Sequence, residues 1–397
     1  MNFTESPLRL AQRMSRLGTE GAFEVLGRAK QLESEGRDII HLEIGEPDFP
    51  SPPHVVEAAI RALRDGWTHY GPPAGLPSLR EAVAKDAGHR RGIHIDPSQV
   101  IITPGAKPVF FFSMMALVEQ GDEVLYPDPG FPIYESMIRF LGATPVPYAL
   151  REENGFNVAA ADVLDKLTGR TRMVILNSPQ NPTGGIMSRA ELSALATGLG
   201  ARDLHIFSDE IYNRLVYDGD HTSIVQFPAV RERTVVLDGF SKSYAMTGWR
   251  LGYGIMCAEL AEQMTKLMIN SNSCTASFTQ VAAIQALEGD QSCVDRMKDE
   301  FYRRRGVIVD GLNRIPGFRC SQPCGAFYAF PNVSRTGKSA RDLADRLLSE
   351  AGVACLPGTA FGDAGEGFLR ISFANSIENI QRALDRINGW VCENTRL

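Results

Sequence analysis

The feature that most constrains the fold of this 397-residue chain is an alternation of short apolar runs with helical patterns. Helix-like stretches such as 188–199, with apolar residues at helical spacing, lie between several of the runs. Nearly continuous apolar strands separated by helices are typical of a mainly parallel sheet that is covered on both faces. The sequence therefore predicts an α/β fold. The predicted strands are 99–103, 122–126, 172–177, 204–208, 234–238 and 251–256.

The length of the chain favours two domains. Residues 53–290 contain the apolar strands and are predicted to form a large domain around the central sheet. Residues 1–52 and 291–397 are predicted to form a smaller α+β domain, because the strand-like runs of the C-terminal part lie among amphipathic helices. These strand-like runs are 325–333, 352–361 and 367–375.

Composition excludes several classes of function. A net charge of −6 argues against nucleic acid as the main partner. Seven scattered cysteines form no disulfide framework, which indicates a reduced, cytoplasmic setting. Cys320 and Cys324 have no second Cys or His pair nearby, so no metal site is expected. The N-terminus lacks the apolar region of a signal peptide, and the longest apolar stretch, 108–118, is too short to cross a membrane.

Polar or aromatic residues follow five of the predicted strands. In open parallel sheets, ligands bind in the crevice beyond the carboxyl ends of the strands, so these residues are predicted to meet in one crevice. They are 104–107, PGAK; 127–134, PDPGFPIY; 178–185, SPQNPTGG; 209–212, DEIY; and 239–242, GFSK.

Each of these segments also has an ordinary structural interpretation. A lone lysine such as Lys242 is usually a solvated surface residue, and a lone aspartate such as Asp209 is usually a helix N-cap. The NPTG segment alone is a common turn, and PGAK lacks the residues of a nucleotide-binding P-loop. Their occurrence together, at the ends of successive strands, favours a functional site.

One set of these residues suits an anion. The guanidinium of Arg250 and the hydroxyl of Ser241 can bind phosphate oxygens. The backbone N–H groups of Gly105, Ala106 and Lys107 stand at a predicted helix start, where an anion is favoured. The sequence therefore predicts a phosphate site.

The remaining groups complete the description of a cofactor. Lys242 could form a Schiff base with an aldehyde. Asp209 could hold a protonated pyridine nitrogen, and Phe131 could stack on a flat ring. A phosphate, an aldehyde and a pyridine together indicate pyridoxal 5′-phosphate.

The segment 239–252, GFSKSYAMTGWRLG, resembles the lysine signature of the class I/II aminotransferases, which belong to the fold-type I pyridoxal-phosphate superfamily. The resemblance covers about residues 30–390 and implies the fold-type I architecture and aminotransferase activity. Further segments resemble those of the family in the same order: 44–52, 69–83, 103–108, 177–185, 208–212 and 367–376.

The resemblance also implies roles for residues around the cofactor ring. Lys242 would carry the internal aldimine and would later move a proton between the substrate Cα and the cofactor. Asp209 would keep the pyridine nitrogen protonated. Tyr212 and Asn181 would hydrogen-bond the O3′ atom of the ring, and Asn181 would also contact the substrate carboxylate. Ping-pong exchange of an amino group between an L-amino acid and a 2-oxo acid follows.

Four further roles come from the same resemblance. Phe131 would be the stacking aromatic, and Arg370 would bind the α-carboxylate of the substrate in a bidentate pair. Gly45 would lie on a mobile segment that closes over the substrate. Tyr70 would reach the phosphate of the neighbouring subunit's cofactor, so the active unit is expected to be a homodimer.

The substrate side chain and the reaction class stay open at this point. Phe23 suggests an apolar wall of the pocket, but the apolar periodicity fits a core contact equally well. Glu24 would repel an acidic substrate if it faced inward. The same scaffold supports lyase or cyclase chemistry at Cβ or Cγ. A cofactor-sensing regulator would need a DNA-binding module, for which the approximately 30 residues before the matching region leave no room.

Overall fold

The computed structural model describes residues 8–395, and a mixed sheet of seven strands lies at its centre. The strands are β1 (Ile40–His41), β2 (Val100–Thr103), β3 (Glu123–Asp128), β4 (Thr144–Ala149), β5 (Thr171–Asn177), β6 (His205–Asp209), β7 (Thr234–Gly239), β8 (Gly252–Ile255), β9 (Tyr328–Ala329), β10 (Val353–Ala354), β11 (Leu356–Pro357) and β12 (Leu369–Ser372). The helices are α1 (Gly21–Ser34), α2 (Pro53–Arg64), α3 (Pro77–Arg91), α4 (Lys107–Leu117), α5 (Ile133–Leu141), α6 (Ala160–Leu164), α7 (Arg189–Gly200), α8 (Pro228–Arg231), α9 (Ala258–Ser271), α10 (Ser277–Glu288), α11 (Ser292–Leu312), α12 (Ala340–Ser349) and α13 (Ile377–Asn394).

The central sheet has the strand order β2-β8-β7-β6-β5-β3-β4. Strand β8 runs antiparallel to both of its neighbours, and the other six strands share one direction. Their carboxyl ends therefore meet at the same edge of the sheet. The predicted α/β fold with a mainly parallel sheet is confirmed.

Both faces of the sheet are buried, which explains why its strands are apolar throughout. Side chains of one face, such as Ile101 and Phe207, share a core with α4 and α9. Side chains of the other face, such as Ile102, pack with α2, α3 and α10, and Val174 packs with α7. All six predicted strands are present, with bounds within two residues of those predicted.

The edge strand β4 was not predicted from the sequence. It contains Pro145 and Pro147, which cannot donate hydrogen bonds to a neighbouring strand and are therefore confined to sheet edges. Most of its residues are at least partly exposed, so the apolar run that marks the central strands is absent. Strand β4 pairs in parallel with β3 and closes one side of the sheet.

The terminal parts of the chain pack together outside this sheet. Strand β1 pairs in parallel with β10, and β12 lies between β11 and β9 in an antiparallel sheet. Helices α11 and α13 pack against each other. The division into 53–290 and the terminal segments stays a prediction. Within residues 8–395, no helix is both long and apolar enough to cross a membrane.

Candidate active site

A cavity of about 510 Å³ lies at the carboxyl edge of the central sheet. Eleven of the thirteen residues assigned to a site from the sequence line it. The two that do not line it are Gly105, which packs against the Arg250 guanidinium, and Tyr70, which lies outside the cavity. The lining members of the predicted set are Gly45, Ala106, Lys107, Phe131, Asn181, Asp209, Tyr212, Ser241, Lys242, Arg250 and Arg370.

The Lys242 amine projects into this cavity from the turn that follows β7. It donates a hydrogen bond to the carbonyl oxygen of Gly45. Burial lowers the pKa of Lys242 to about 8, although the nearby Glu46 carboxylate opposes the shift. The Lys242 amine therefore loses its proton more readily than a solvated lysine does, which suits a nucleophile or a proton acceptor.

Asp209, the last residue of β6, places a buried carboxylate in the cavity. One oxygen accepts a hydrogen bond from the Tyr134 hydroxyl at 2.8 Å, and the other accepts from the backbone N–H of Ile211 at 3.2 Å. Burial raises the pKa of Asp209 to about 6, and these two hydrogen bonds only partly offset the effect. A cationic partner inside the cavity would favour the ionised form of this carboxylate.

Two tyrosines and an asparagine lie beside Asp209. The hydroxyls of Tyr212 and Tyr328 are hydrogen-bonded at 2.7 Å, and burial raises the pKa of both groups. The backbone N–H of Asn181 donates to the side-chain oxygen of Asn177 at 3.0 Å. The side-chain Oδ1 of Asn181 is buried and has no partner within residues 8–395, so it is available to a ligand.

The predicted anion site is built where α4 begins. A Cβ on Gly105 would lie 2.7 Å from Cζ of Arg250, and a Cβ on Gly252 would lie 2.7 Å from Cα of Ala106. Only glycine therefore permits the arginine and the helix start to approach so closely. Arg250 adopts φ +52°, a conformation rare outside glycine, and Nη1 of Arg250 donates to the Thr247 carbonyl oxygen at 2.8 Å.

Arg370, on β12, is 3% exposed and lies between two aromatic rings. Its Cζ is 4.7 Å from the ring centroid of Tyr328 and 5.1 Å from that of Phe361. Nη2 donates to the Glu43 carbonyl oxygen, whereas the buried Nε has no partner among the described residues. A buried guanidinium with unused donors is suited to bind a carboxylate.

An ion pair that was not predicted from the sequence lies at the cavity entrance. The Lys107 ammonium forms an ion pair with Glu20 and lies 5.5 Å from the ring centroid of Phe131. Phe23 lines the cavity and is 63% exposed, so the interpretation of Phe23 as a core contact is wrong. Glu24 is exposed and is absent from the cavity lining, so the acidic residue of this segment that faces inward is Glu20.

Tyr70 does not join the other site residues within one chain. Its side chain is 89% exposed, in a segment held to the start of α10 by the hydrogen bond from Ser277 Oγ to the His69 carbonyl oxygen at 2.9 Å. A role for Tyr70 at a cofactor thus requires a second subunit.

Several lining residues received no role from the sequence, although two of them lie in segments that the sequence analysis singled out. Asn177 ends the run RMVILN, and Tyr134 lies in the aromatic segment after β3, so both follow strands of the sheet. Tyr328 and Glu20 belong to the terminal parts of the chain and carried no local signal. No cluster of His, Cys, Asp or Glu that could hold a metal ion is found in residues 8–395.

The sequence profile of the family "Aminotransferase class I and II" matches residues 37–387. The chain belongs to this family. An aspartate aminotransferase of Pyrococcus horikoshii is 41% identical over 381 residues, which are 95% of this chain and 96% of that protein. The aromatic-amino-acid aminotransferase 2 of Thermococcus litoralis is 39% identical over 88% of this chain and 90% of its own. The structure of the Thermus thermophilus aspartate aminotransferase with maleate superposes with a TM-score of 0.92 at 36% identity, over 96% of this chain and 99% of that chain.

The predicted family and activity are thereby confirmed: the chain is an aminotransferase. Relatives that match the chain over nearly its whole length are aminotransferases. These relatives give no support to the lyase or cyclase alternative.

Proposed function

We propose that this aminotransferase uses pyridoxal 5′-phosphate to exchange the amino group between an L-amino acid and a 2-oxo acid by a ping-pong mechanism. The observation that carries the proposal is that the Lys242 amine, the Asp209 carboxylate and the Arg250 guanidinium line one cavity. These groups match the aldehyde, the pyridine nitrogen and the phosphate of the cofactor.

The residues present fit this cofactor in three respects. Because Gly105 and Gly252 carry no Cβ, Arg250 and the strand β8 can lie close to the start of α4. The Arg250 guanidinium, the Ser241 hydroxyl and the backbone N–H groups at that helix start can therefore bind one phosphate together. The unpartnered Oδ1 of Asn181 is a buried polar atom that a ligand can satisfy. The Asp209 carboxylate is buried and accepts hydrogen bonds from the Tyr134 hydroxyl and the Ile211 N–H group, and no basic side chain of residues 8–395 forms an ion pair with it.

The cofactor, when bound, supplies an aldehyde that condenses with amines and a ring that accepts electrons from the substrate Cα. Lys242 would hold the aldehyde and, once displaced by the amino acid, would take the proton from the substrate Cα through Nζ. Asp209 would hold a proton on the ring nitrogen. Arg370 would fix the α-carboxylate and thereby direct the Cα–H bond towards Lys242.

The remaining residues orient the ligands and exclude water. The Tyr212 hydroxyl, already oriented by Tyr328, would donate to the ring oxygen, and Asn181 would bind that oxygen and the substrate carboxylate. Phe131 would cover one face of the ring. The Gly45 segment contacts Lys242 and lies against Tyr328, where a Cβ would lie 3.1 Å from Cζ of that tyrosine, so its movement over the substrate would close the cavity to water.

A half-reaction screen tests this function. The protein loaded with pyridoxal phosphate is mixed with single amino acids in the absence of a 2-oxo acid. We expect a good donor to release one equivalent of its 2-oxo acid per site and then to stop, with turnover resuming when a second 2-oxo acid is added. Continued release of ammonia without an acceptor would instead indicate elimination chemistry.

We further propose a homodimer in which Tyr70 binds the phosphate in the partner subunit's site. Tyr70 and several large apolar side chains are exposed in the single chain, which is typical of a surface that a second subunit covers. The exposed apolar residues include Leu8, Leu10, Met14, Phe111, Met115 and Ile269.

Mixing the Tyr70→Ala and Lys242→Ala variants tests this arrangement. Each variant alone is expected to be nearly inactive. In a hybrid dimer one of the two sites regains both residues, so random mixing should restore roughly a quarter of the wild-type activity. A mixture no more active than its parts, although hybrids are shown to form, would contradict the proposal.

The domain division at about residues 53 and 290 and a cytoplasmic location are also proposed. The central sheet lies within 53–290, and the pairing of β1 with β10 joins the two terminal segments. All seven cysteines are free, which fits a reducing compartment.

A further inference from the structure

We infer that Glu20 neutralises Lys107 and thereby restricts this aminotransferase to amino acids whose side chain is uncharged and either aliphatic or aromatic. The inference rests on the proposed function, because it assumes that Arg370 binds the substrate α-carboxylate. The names of the relatives cover both acidic and aromatic donors, so the donor class must come from the cavity of this chain.

Glu20 is held in place at the cavity entrance by the segment in which it lies. The backbone N–H of Gly18 donates to Ser136 Oγ on α5 at 2.9 Å, and Ser136 Oγ donates back to the Gly18 carbonyl oxygen at 3.3 Å. Helix α1 begins immediately after Glu20 and fixes the other side. The Glu20 side chain is 19% exposed, so its carboxylate is directed into the protein rather than into solvent.

The ion pair between Glu20 and Lys107 removes the one cation that a second substrate carboxylate could use. Four basic side chains line the cavity. Three of them are assigned to other ligands: Arg370 to the α-carboxylate, Arg250 to the phosphate and Lys242 to the cofactor aldehyde. Among the described lining residues only Lys107 is left.

A distal carboxylate on the substrate would therefore meet unfavourable charges. To contact Lys107 it would have to approach the Glu20 carboxylate, and like charges at such distances repel. The other acidic residue at the entrance, Glu46, accepts a hydrogen bond from Thr247 and adds a further negative charge. Electrostatics of this kind reject the wrong ligand more than they strengthen binding of the right one.

The walls between these charges suit an apolar side chain. Phe23 offers an exposed aromatic ring at the entrance, in addition to the Phe131 ring that would cover the cofactor. Aliphatic groups complete this part of the lining: Ala22, Ile44 and Ile133. Burial of an apolar substrate side chain against them is favourable, whereas a charged one would lose hydration without gaining a partner.

The test compares L-phenylalanine with L-aspartate as amino donors for the holoenzyme. We expect the wild type to prefer phenylalanine by at least about tenfold in kcat/KM. Glu20→Gln keeps the shape of the side chain but frees Lys107, and it should shift this preference by at least about tenfold towards aspartate, mainly through KM. Adding Lys107→Met to Glu20→Gln should abolish the shift.

Glu24→Gln is the matched control, because Glu24 lies on the same helix but outside the cavity lining. This control should leave the preference within about twofold of the wild type. A binding measurement gives an independent readout: calorimetry should show that 3-phenylpropanoate binds the wild-type holoenzyme more tightly than maleate, and that Glu20→Gln narrows the difference. Glu20→Ser serves the same purpose if the glutamine variant does not fold.

Two results would overturn the inference while leaving the proposed function intact. One is a wild-type enzyme that transaminates aspartate as well as phenylalanine, and the other is an unchanged preference in the Glu20 variants. If the wild type transaminated no amino acid at all, the proposed function itself would fail.

Discussion

The Lys242→Ala variant is expected to lose at least about a thousandfold in kcat with every amino donor. Lys242 is the basic side chain of the cavity that combines a partly buried position with a pKa lowered to about 8, so it is the group suited to condense with an aldehyde and to accept a proton from Cα. Steady-state kinetics of the holoenzyme measure the loss. Alanine is not expected to disturb the fold, because burying the Lys242 amine costs stability in the native chain.

Lys266→Ala is the matched control for this variant. Lys266 lies on α9 with a side chain that is 60% exposed, and its replacement should leave kcat within about twofold of the wild-type value. Borohydride treatment provides a chemical readout, since reduction should fix the cofactor to the peptide that contains residue 242 in the wild type and in the control but not in Lys242→Ala. Activity of Lys242→Ala near the wild-type level would refute the assignment.

The Asp209→Asn variant is expected to lose about 10²–10³-fold in kcat of the holoenzyme, because a neutral amide cannot stabilise a proton on the ring nitrogen as a carboxylate does. The amide oxygen can still accept the hydrogen bond from Tyr134 at 2.8 Å, so the geometry of the cavity should be kept. The loss of activity is therefore expected to appear in kcat more than in the KM of the amino acid.

The same substitution should have the opposite effect on the stability of the protein without cofactor. The folded pKa of Asp209, about 6, is raised above the ordinary value by burial, so the stability contributed by this group is present below about pH 4 and is lost as the pH rises through 6. At pH 7 Asp209→Asn should therefore stabilise the apoprotein, by up to about 3 kcal/mol. At pH 4 the difference should vanish.

Thermal unfolding of the apoproteins from pH 4 to pH 8 measures this effect, and Asp128→Asn is its control. Asp128 is also buried with a pKa raised to about 6, but it does not line the cavity. Both substitutions should stabilise the apoprotein at neutral pH, while only Asp209→Asn should reduce kcat by more than about tenfold. Equal losses of activity in the two variants would show that burial, rather than contact with the cofactor, explains the effect of Asp209.

The central strands could be predicted because both of their faces are buried. Such strands are apolar along their whole length and do not alternate between apolar and polar residues. The runs that became β5 and β6 are apolar along nearly their whole length and could be read directly. Strand β4 could not be predicted in this way, since it is an edge strand that contains two prolines. Its extended conformation depends on pairing with β3, which is a tertiary contact. Its local sequence favours a connection.

The sequence predicted those site residues that follow strands of the sheet. Asp209 ends β6 and Lys242 follows β7, and hydrogen bonding between parallel strands brings these ends to one edge whatever the rest of the chain does. Tyr328 and Glu20 reach the cavity from outside the central sheet. Their positions depend on packing between segments far apart in sequence, for which no local pattern exists.

By itself the sequence determined the α/β architecture and the family, and it predicted the side chains that are proposed to hold pyridoxal phosphate, because these depend on burial patterns and on short motifs with fixed geometry. Only the tertiary structure decided that Glu20 rather than Glu24 faces the cavity, that Glu20 neutralises Lys107, and that Tyr134 supports Asp209. Charge pairing and hydrogen bonding act over a few ångströms between atoms, whereas the sequence gives only the order of residues along the chain. Which charges cancel and which remain for a substrate is therefore decided by the packing of α1, α4 and α5 around the cavity entrance.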